Sequence, residues 1–172
     1  MMKKYRTIML LFAFACLLTG CHAAQTPEPT PGNVAIGNPW SDWGSLKEAE
    51  TAAGFSLEIP ETVADYTAAG YRTMNGDAKL LEVIYTDGER KVTVRKAEGE
   101  GQDISGVYGH DVAETREWKN GQTLTVCRET ENAGEGDSLS IQIAHGGASW
   151  SLFAPDGLSD TACDAFLAAV FE

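Results

Sequence analysis

From residue 40 onward, apolar positions recur mainly at every second residue. Leu81, Val83 and Tyr85 share one face, Asp87-Gly88 makes a turn, and Val92 and Val94 return, which predicts a β-hairpin. A second hairpin is predicted from Val112 to Trp118, through Asn120-Gly121, to Thr123 to Arg128. A third pairs Leu139, Ile141 and Ile143 with Trp150 and Leu152 around His145-Gly146-Gly147. Upstream, Phe55, Leu57 and Ile59 alternate as a strand that Pro60 ends. A loop with Tyr66 then leads to a strand over 70–74 and an Asn75-Gly76 turn. Two segments break the alternation. Ser45-x-x-Glu48 is a capping box, followed by Leu46, Ala49, Ala52 and Ala53 on one side and Gly54 as a stop. Ser159 caps a second helix, with Cys163, Phe166, Leu167 and Val170 at i, i+3, i+4, i+7. The order of helix, strands and helix predicts an α+β fold: an antiparallel, curved meander sheet of about seven strands, covered on its dry face by an N-terminal and a C-terminal helix.

The first forty residues have another pattern. Lys3, Lys4 and Arg6 precede the apolar run from Ile8 to Leu18. That run is roughly 16 Å long as a helix, too short for a bilayer core of ~30 Å, so residues 1–20 read as a signal peptide. Leu18-Thr19-Gly20-Cys21 resembles the bacterial lipobox. The resemblance implies cleavage before Cys21, a thioether-linked diacylglycerol on its sulfur (palmitate-like chains) and an acylated amino terminus. The competing reading is an ordinary secretory signal in which Cys21 is incidental. His22 stands where the inner-membrane retention signal of Gram-negative lipoproteins has Asp. Residues 21–39 hold four of the six prolines, Pro27, Pro29, Pro31 and Pro39, and read as an extended tether. Residues 40–172 then form a single domain. The partner this implies is a membrane, through lipid on Cys21, with the domain on the extracytoplasmic face.

Composition narrows the choice further. The chain has 172 residues, 43% of them hydrophobic, enough for a core and against wholesale disorder. Its net charge of −12 argues against nucleic acid as a partner.

From Asn38 onward the chain resembles a domain-of-unknown-function family found in lipoproteins and in anti-sigma-like membrane proteins of low-GC Gram-positive bacteria. The resemblance lies in Asn38-Pro39-Trp40, Glu48-Ala49-Glu50, Ala53-Gly54-Phe55-Ser56-Leu57 and Leu81-Glu82-Val83-Ile84-Tyr85. It continues in Arg95-Lys96-Ala97, Asp103-Ile104-Ser105-Gly106 and Gly157-Leu158-Ser159. It implies an extracytoplasmic domain of the cell envelope and carries over no catalytic residue.

Catalytic and metal signatures are missing from the sequence. No two His lie at i, i+4 and no Cys at C-x-x-C spacing, so no metal site is expected. His145 reads as a polar turn residue. Glu98, Glu100, Asp103, Glu129, Glu131, Glu135 and Asp137 fall in two Gly-containing loops without the EF-hand order, and read as solvated acidic loops. Gly147-Ala148-Ser149-Trp150-Ser151 lacks the last glycine of a nucleophile elbow, and Gly99-x-Gly101 is not a dinucleotide loop, so no cofactor is expected. Aromatic residues are the remaining candidates. Trp40 and Trp43, beside the tether, read first as plugs of the open end of the core and otherwise as a ligand platform or a contact with the membrane interface. Tyr108, in the acidic loop, is least needed for packing and is the better contact for a peptide, protein or small-molecule ligand. The reading is a membrane-anchored, non-enzymatic binding or sensing domain. Its alternatives are a carrier of an apolar ligand in a groove under the sheet and an envelope-polymer hydrolase using loop carboxylates. Strand parity places Cys127 away from the helices and Cys163 on a helix, so two separate thiols are expected.

Overall fold

The computed structural model describes residues 38–74, 79–107, 114–129 and 138–171. The signal, Cys21, most of the tether, Tyr108 and the second acidic loop over 130–137 lie outside the described residues. No helix among those described is long and apolar enough to cross a membrane.

The strands are β1 (Trp40–Trp43), β2 (Thr62–Val63), β3 (Tyr66–Met74), β4 (Leu80–Thr86), β5 (Lys91–Glu98), β6 (Glu114–Trp118), β7 (Gln122–Glu129), β8 (Ser138–His145) and β9 (Ala148–Ala154). The helices are α1 (Leu46–Ala53) and α2 (Asp160–Phe171). All nine strands form one antiparallel sheet in the order β1-β3-β4-β5-β9-β8-β7-β6, with β2 paired to β3. The α+β class and the three hairpins are as the sequence predicts. The strand count exceeds seven, and the sheet is not one meander. Two meanders, β1 with β3–β5 and β6–β9, join where β5 pairs with β9.

Three local features explain the departures. The expected strand over Phe55 to Ile59 does not form. The Glu50 carboxylate takes the Leu57 amide at 2.8 Å and turns the segment back onto α1, burying Leu57. In its place the Trp40–Trp43 segment, for which the sequence predicts no strand, pairs with β3 as an edge strand. A register shift in β3 between Ala68 and Gly70 reverses the parity of that strand. Ala68 opposite Tyr85 and Tyr71 opposite Val83 therefore face the same side, which simple alternation does not anticipate.

The helix ends follow their capping chemistry. Ser45 accepts from the Glu48 amide at 3.3 Å, the Glu48 carboxylate reaches back to the Gly44 amide, and Gly54 ends α1 at φ 87°. Ser159 accepts from Ala162 N–H at the start of α2. Both helices pack on one sheet face. Phe166 of α2 meets Tyr66 and Tyr85 edge-on, at 5.7 and 5.2 Å between ring centres. Tyr85 donates to the Pro60 carbonyl at 2.6 Å, and burial pushes its pKa up.

Cys127 pairs with Ser140 in the β7–β8 ladder, on the face away from Leu124 and Val126. Cys163 belongs to α2 on the other side, and no disulfide joins the two. The β7–β8 register carries no shift that would bring them together. We expect two reactive thiols when the unreduced domain without residues 1–21 is unfolded; a thiol count of zero would contradict this strand parity.

The β4–β5 turn carries a second prediction. Asp87 accepts from the Arg90 and Glu89 amides at 2.8 and 3.0 Å and pairs with the Arg90 guanidinium at 2.7 Å. Those amides first, and the guanidinium after them, bring its pKa down from 3.8 to about 2. A depressed carboxyl pKa favours the fold above the unfolded value and loses that contribution as pH falls through the folded one. The stability advantage of the natural protein over Asp87→Asn should be full at neutral pH and vanish between about pH 4 and pH 2, read from urea midpoints.

Candidate functional site

The face of the sheet away from the helices carries one polar row across eight strands. Asp42, Arg72, Glu82, Arg95, Ser151, Gln142, Thr125 and Thr115 are successive cross-strand partners. Glu82 sits in it with its side chain 0% exposed. Arg72 donates through Nε to Glu82 Oε1 at 2.7 Å and adds a second contact to that oxygen, while Arg95 donates to Oε2 at 2.6 Å. Two guanidiniums against one carboxylate leave a net positive charge. The Trp40 ring lies over both guanidiniums and attracts them without neutralising them, with Arg72 and Arg95 carbons 4.9 and 5.3 Å from its centre.

The Gly-rich loop over residues 99–107 is strapped across this face. Arg95 Nη1 donates to the Ile104 and Ser105 carbonyls. A Cβ at Gly106, where φ is +69°, would run into that guanidinium. Ser149 Oγ donates to Gly99 O at 2.7 Å and accepts from the Gln102 amide. Asp103 Oδ1 accepts from Ser105 and from Gln142 Nε2, and Glu100 accepts from the Gly147 amide. These two acidic side chains thus hold the loop to the sheet. Among the described residues no three His, Cys, Asp or Glu converge as metal ligands.

Trp40 and Trp43 do not form one ligand platform, and Trp40 packs on the buried Leu80, Ala97 and Ile104. Trp40 lies on the Arg-Glu-Arg group. Trp43, 36% exposed, faces the other way and donates its indole N–H to Thr73 at 2.9 Å. Tyr108 is outside the described residues.

A different group converges at one end of the helical face. In β5 the core-facing positions run Val92, Val94, Lys96, and Lys96 lies opposite Leu81 on one side and Trp150 on the other. Its ammonium is 4.7 Å from the Trp150 ring centre and 5.9 Å from that of Phe55, and donates to the Ser56 carbonyl at 2.7 Å. The two-residue turn Gly146-Gly147, with φ 63° and 76°, ends β8 at His145. His145 meets Gln122 Nε2 through Nδ1 at 3.4 Å and turns its ring edge-on to Phe171 of α2 at 5.0 Å. Trp150 Nε1 donates to the His145 carbonyl and fixes the indole against the turn. Ser56, Glu58, Lys96, His145, Trp150 and Phe171 line a cleft of about 330 Å³.

The sequence reading missed this cleft and took His145 for a turn residue. A signal was present in Lys96, which stands where the alternation of β5 calls for a third apolar side chain.

A second hollow of about 260 Å³ lies between α2 and β6–β8. Leu124, Val126, Leu139 and Ile141 floor it, and Arg116, Asp160 and Asp164 stand at its edge. It is smaller than the ~300–1,000 Å³ of ordinary ligand pockets. Its two carboxylates stand one turn apart on a single helix, not across a cleft.

No protein-family model matches the chain, and neither a curated protein nor a solved structure is significantly similar to it.

The Arg-Glu-Arg group generates the prediction here. Removing its carboxylate leaves two guanidiniums facing each other under Trp40. Glu82→Ala should destabilise the fold by about 3–5 kcal/mol. The check is urea unfolding followed by tryptophan fluorescence, in which Trp40 should also become more exposed.

Proposed function

We propose that this chain is a lipid-anchored binding or sensing domain on the extracytoplasmic face of the cell membrane, of the kind its resemblance to the envelope-domain family implies. The observation that carries the reading is the Leu18-Thr19-Gly20-Cys21 junction, placed behind a short apolar run and ahead of a proline-rich segment. Lipidation with two or three acyl chains anchors a protein stably where one chain does not. The domain geometry supports binding over the other two functions. The apolar-lined hollows, of about 260 and 280 Å³, are too small to favour a carrier. In the first acidic loop the carboxylates of Glu100 and Asp103 are engaged by protein donors, which does not favour a hydrolase there. The cleft around Lys96 and His145 has the size and mixed lining of a small-ligand site.

Cys21→Ser should abolish fatty-acid labelling of the protein in growing cells and leave the signal uncut, seen as a slower-migrating form. Persistent labelling of the variant would exclude the lipobox.

A further inference from the structure

We infer that the cleft between the β8–β9 turn, the end of α2 and the segment after α1 binds a small zwitterion, an α-amino acid with an apolar side chain. This deepens the binding-domain reading and rests on it.

Unused hydrogen-bonding capacity of both charge signs faces the same space. An ammonium has three donors. Lys96 gives one to the Ser56 carbonyl, and its other two meet no acceptor among the described residues. The aromatic rings of Trp150 and Phe55 hold the ammonium in place rather than neutralise it. Glu58, on the same cleft, is exposed and makes no hydrogen bond or ion pair with any described residue. His145 is engaged at Nδ1, by Gln122, and leaves Nε2 for a ligand. Next to it, Gln122 Oε1 is buried with no partner.

These groups select the ligand class. A carboxylate suits Lys96, and an ammonium suits Glu58. Trp150, Val170 and Phe171 add apolar wall, which suits a hydrocarbon or aromatic side chain. A volume of about 330 Å³ is at the lower end for ligand pockets and suits a small molecule. A simple anion would leave Glu58 facing it, and a simple cation would face Lys96.

The probe is L-phenylalanine, titrated calorimetrically into the purified full chain in detergent, whichever cell fraction yields it. Two derivatives separate the charges: N-acetyl-L-phenylalanine lacks the ammonium and L-phenylalaninamide lacks the carboxylate. Saturable binding of L-phenylalanine is expected, with each derivative weaker by about tenfold or more, the size of one lost charge-assisted hydrogen bond. Lys96→Met, which keeps the stem, should weaken L-phenylalanine to a similar degree yet leave the amide unchanged. Glu58→Gln, at an exposed position, should weaken L-phenylalanine and leave the N-acetyl compound unchanged. Absence of saturable binding overturns the inference, as does binding that neither substitution alters. Fatty-acid labelling at Cys21 reads the anchoring separately, so failure of one is not failure of the other.

Discussion

A carboxylate with no exposure to water is tolerable in a fold only where opposite charge and hydrogen bonds reach both of its oxygens. Glu82 meets that condition through Arg72 on one neighbouring strand and Arg95 on the other. Each arginine then brings further structure with it. Both stand under Trp40 and so fasten the edge strand β1, while Arg95 also grips the carbonyls of Ile104 and Ser105 and so fastens the loop after β5. Leu80, Ala97 and Ile104 form a small apolar cluster beside the group, with Trp40 and Met74 packed on it. The face away from the helices is thus a second, polar-centred core. Its ion group adds less to net stability than an apolar core of equal volume would, but it cannot lose one member without leaving charge buried.

Much of the architecture was legible because it depends on local chemistry. Alternation in Leu81-Val83-Tyr85 and Leu139-Ile141-Ile143, the Gly-Gly turn, and the caps at Ser45, Gly54 and Ser159 each depend on residues close in sequence. What failed depends on distant partners. Phe55, Leu57 and Ile59 have strand parity, but Glu50, seven residues before Leu57, captures its amide. The joining of β5 to β9 leaves no local mark, and neither does the shift within β3.

The same division holds for candidate sites. Trp40 and Trp43 stood out by type, yet what they do is set by Arg72, Arg95 and Thr73, which only the sheet brings to them. His145 reads as a turn residue because two glycines follow it; its neighbours in space are Gln122 and Phe171. Lys96 was readable in principle. A charged residue on the apolar side of a strand has to reach solvent or a partner, and this one does so at a cleft.

The seam between the two meanders has a kinetic consequence. Strands β1 and β3–β5 can pair with near neighbours, as can β6–β9, but β5 meets β9 only across a separation on the order of fifty residues. The first meander is also the first synthesised. Until β9 is made, the outer edge of β5 presents open amides and carbonyls beside Val92 and Val94. The last helix then ties the halves a second time, carrying Phe166 from the end of the chain onto Tyr66 and Tyr85 of the first meander. Closing this seam costs more chain entropy than any of the hairpin pairings within either meander. A polypeptide halted between β5 and β6 would carry β5 paired to β4 alone, its outer edge open to pairing with another copy.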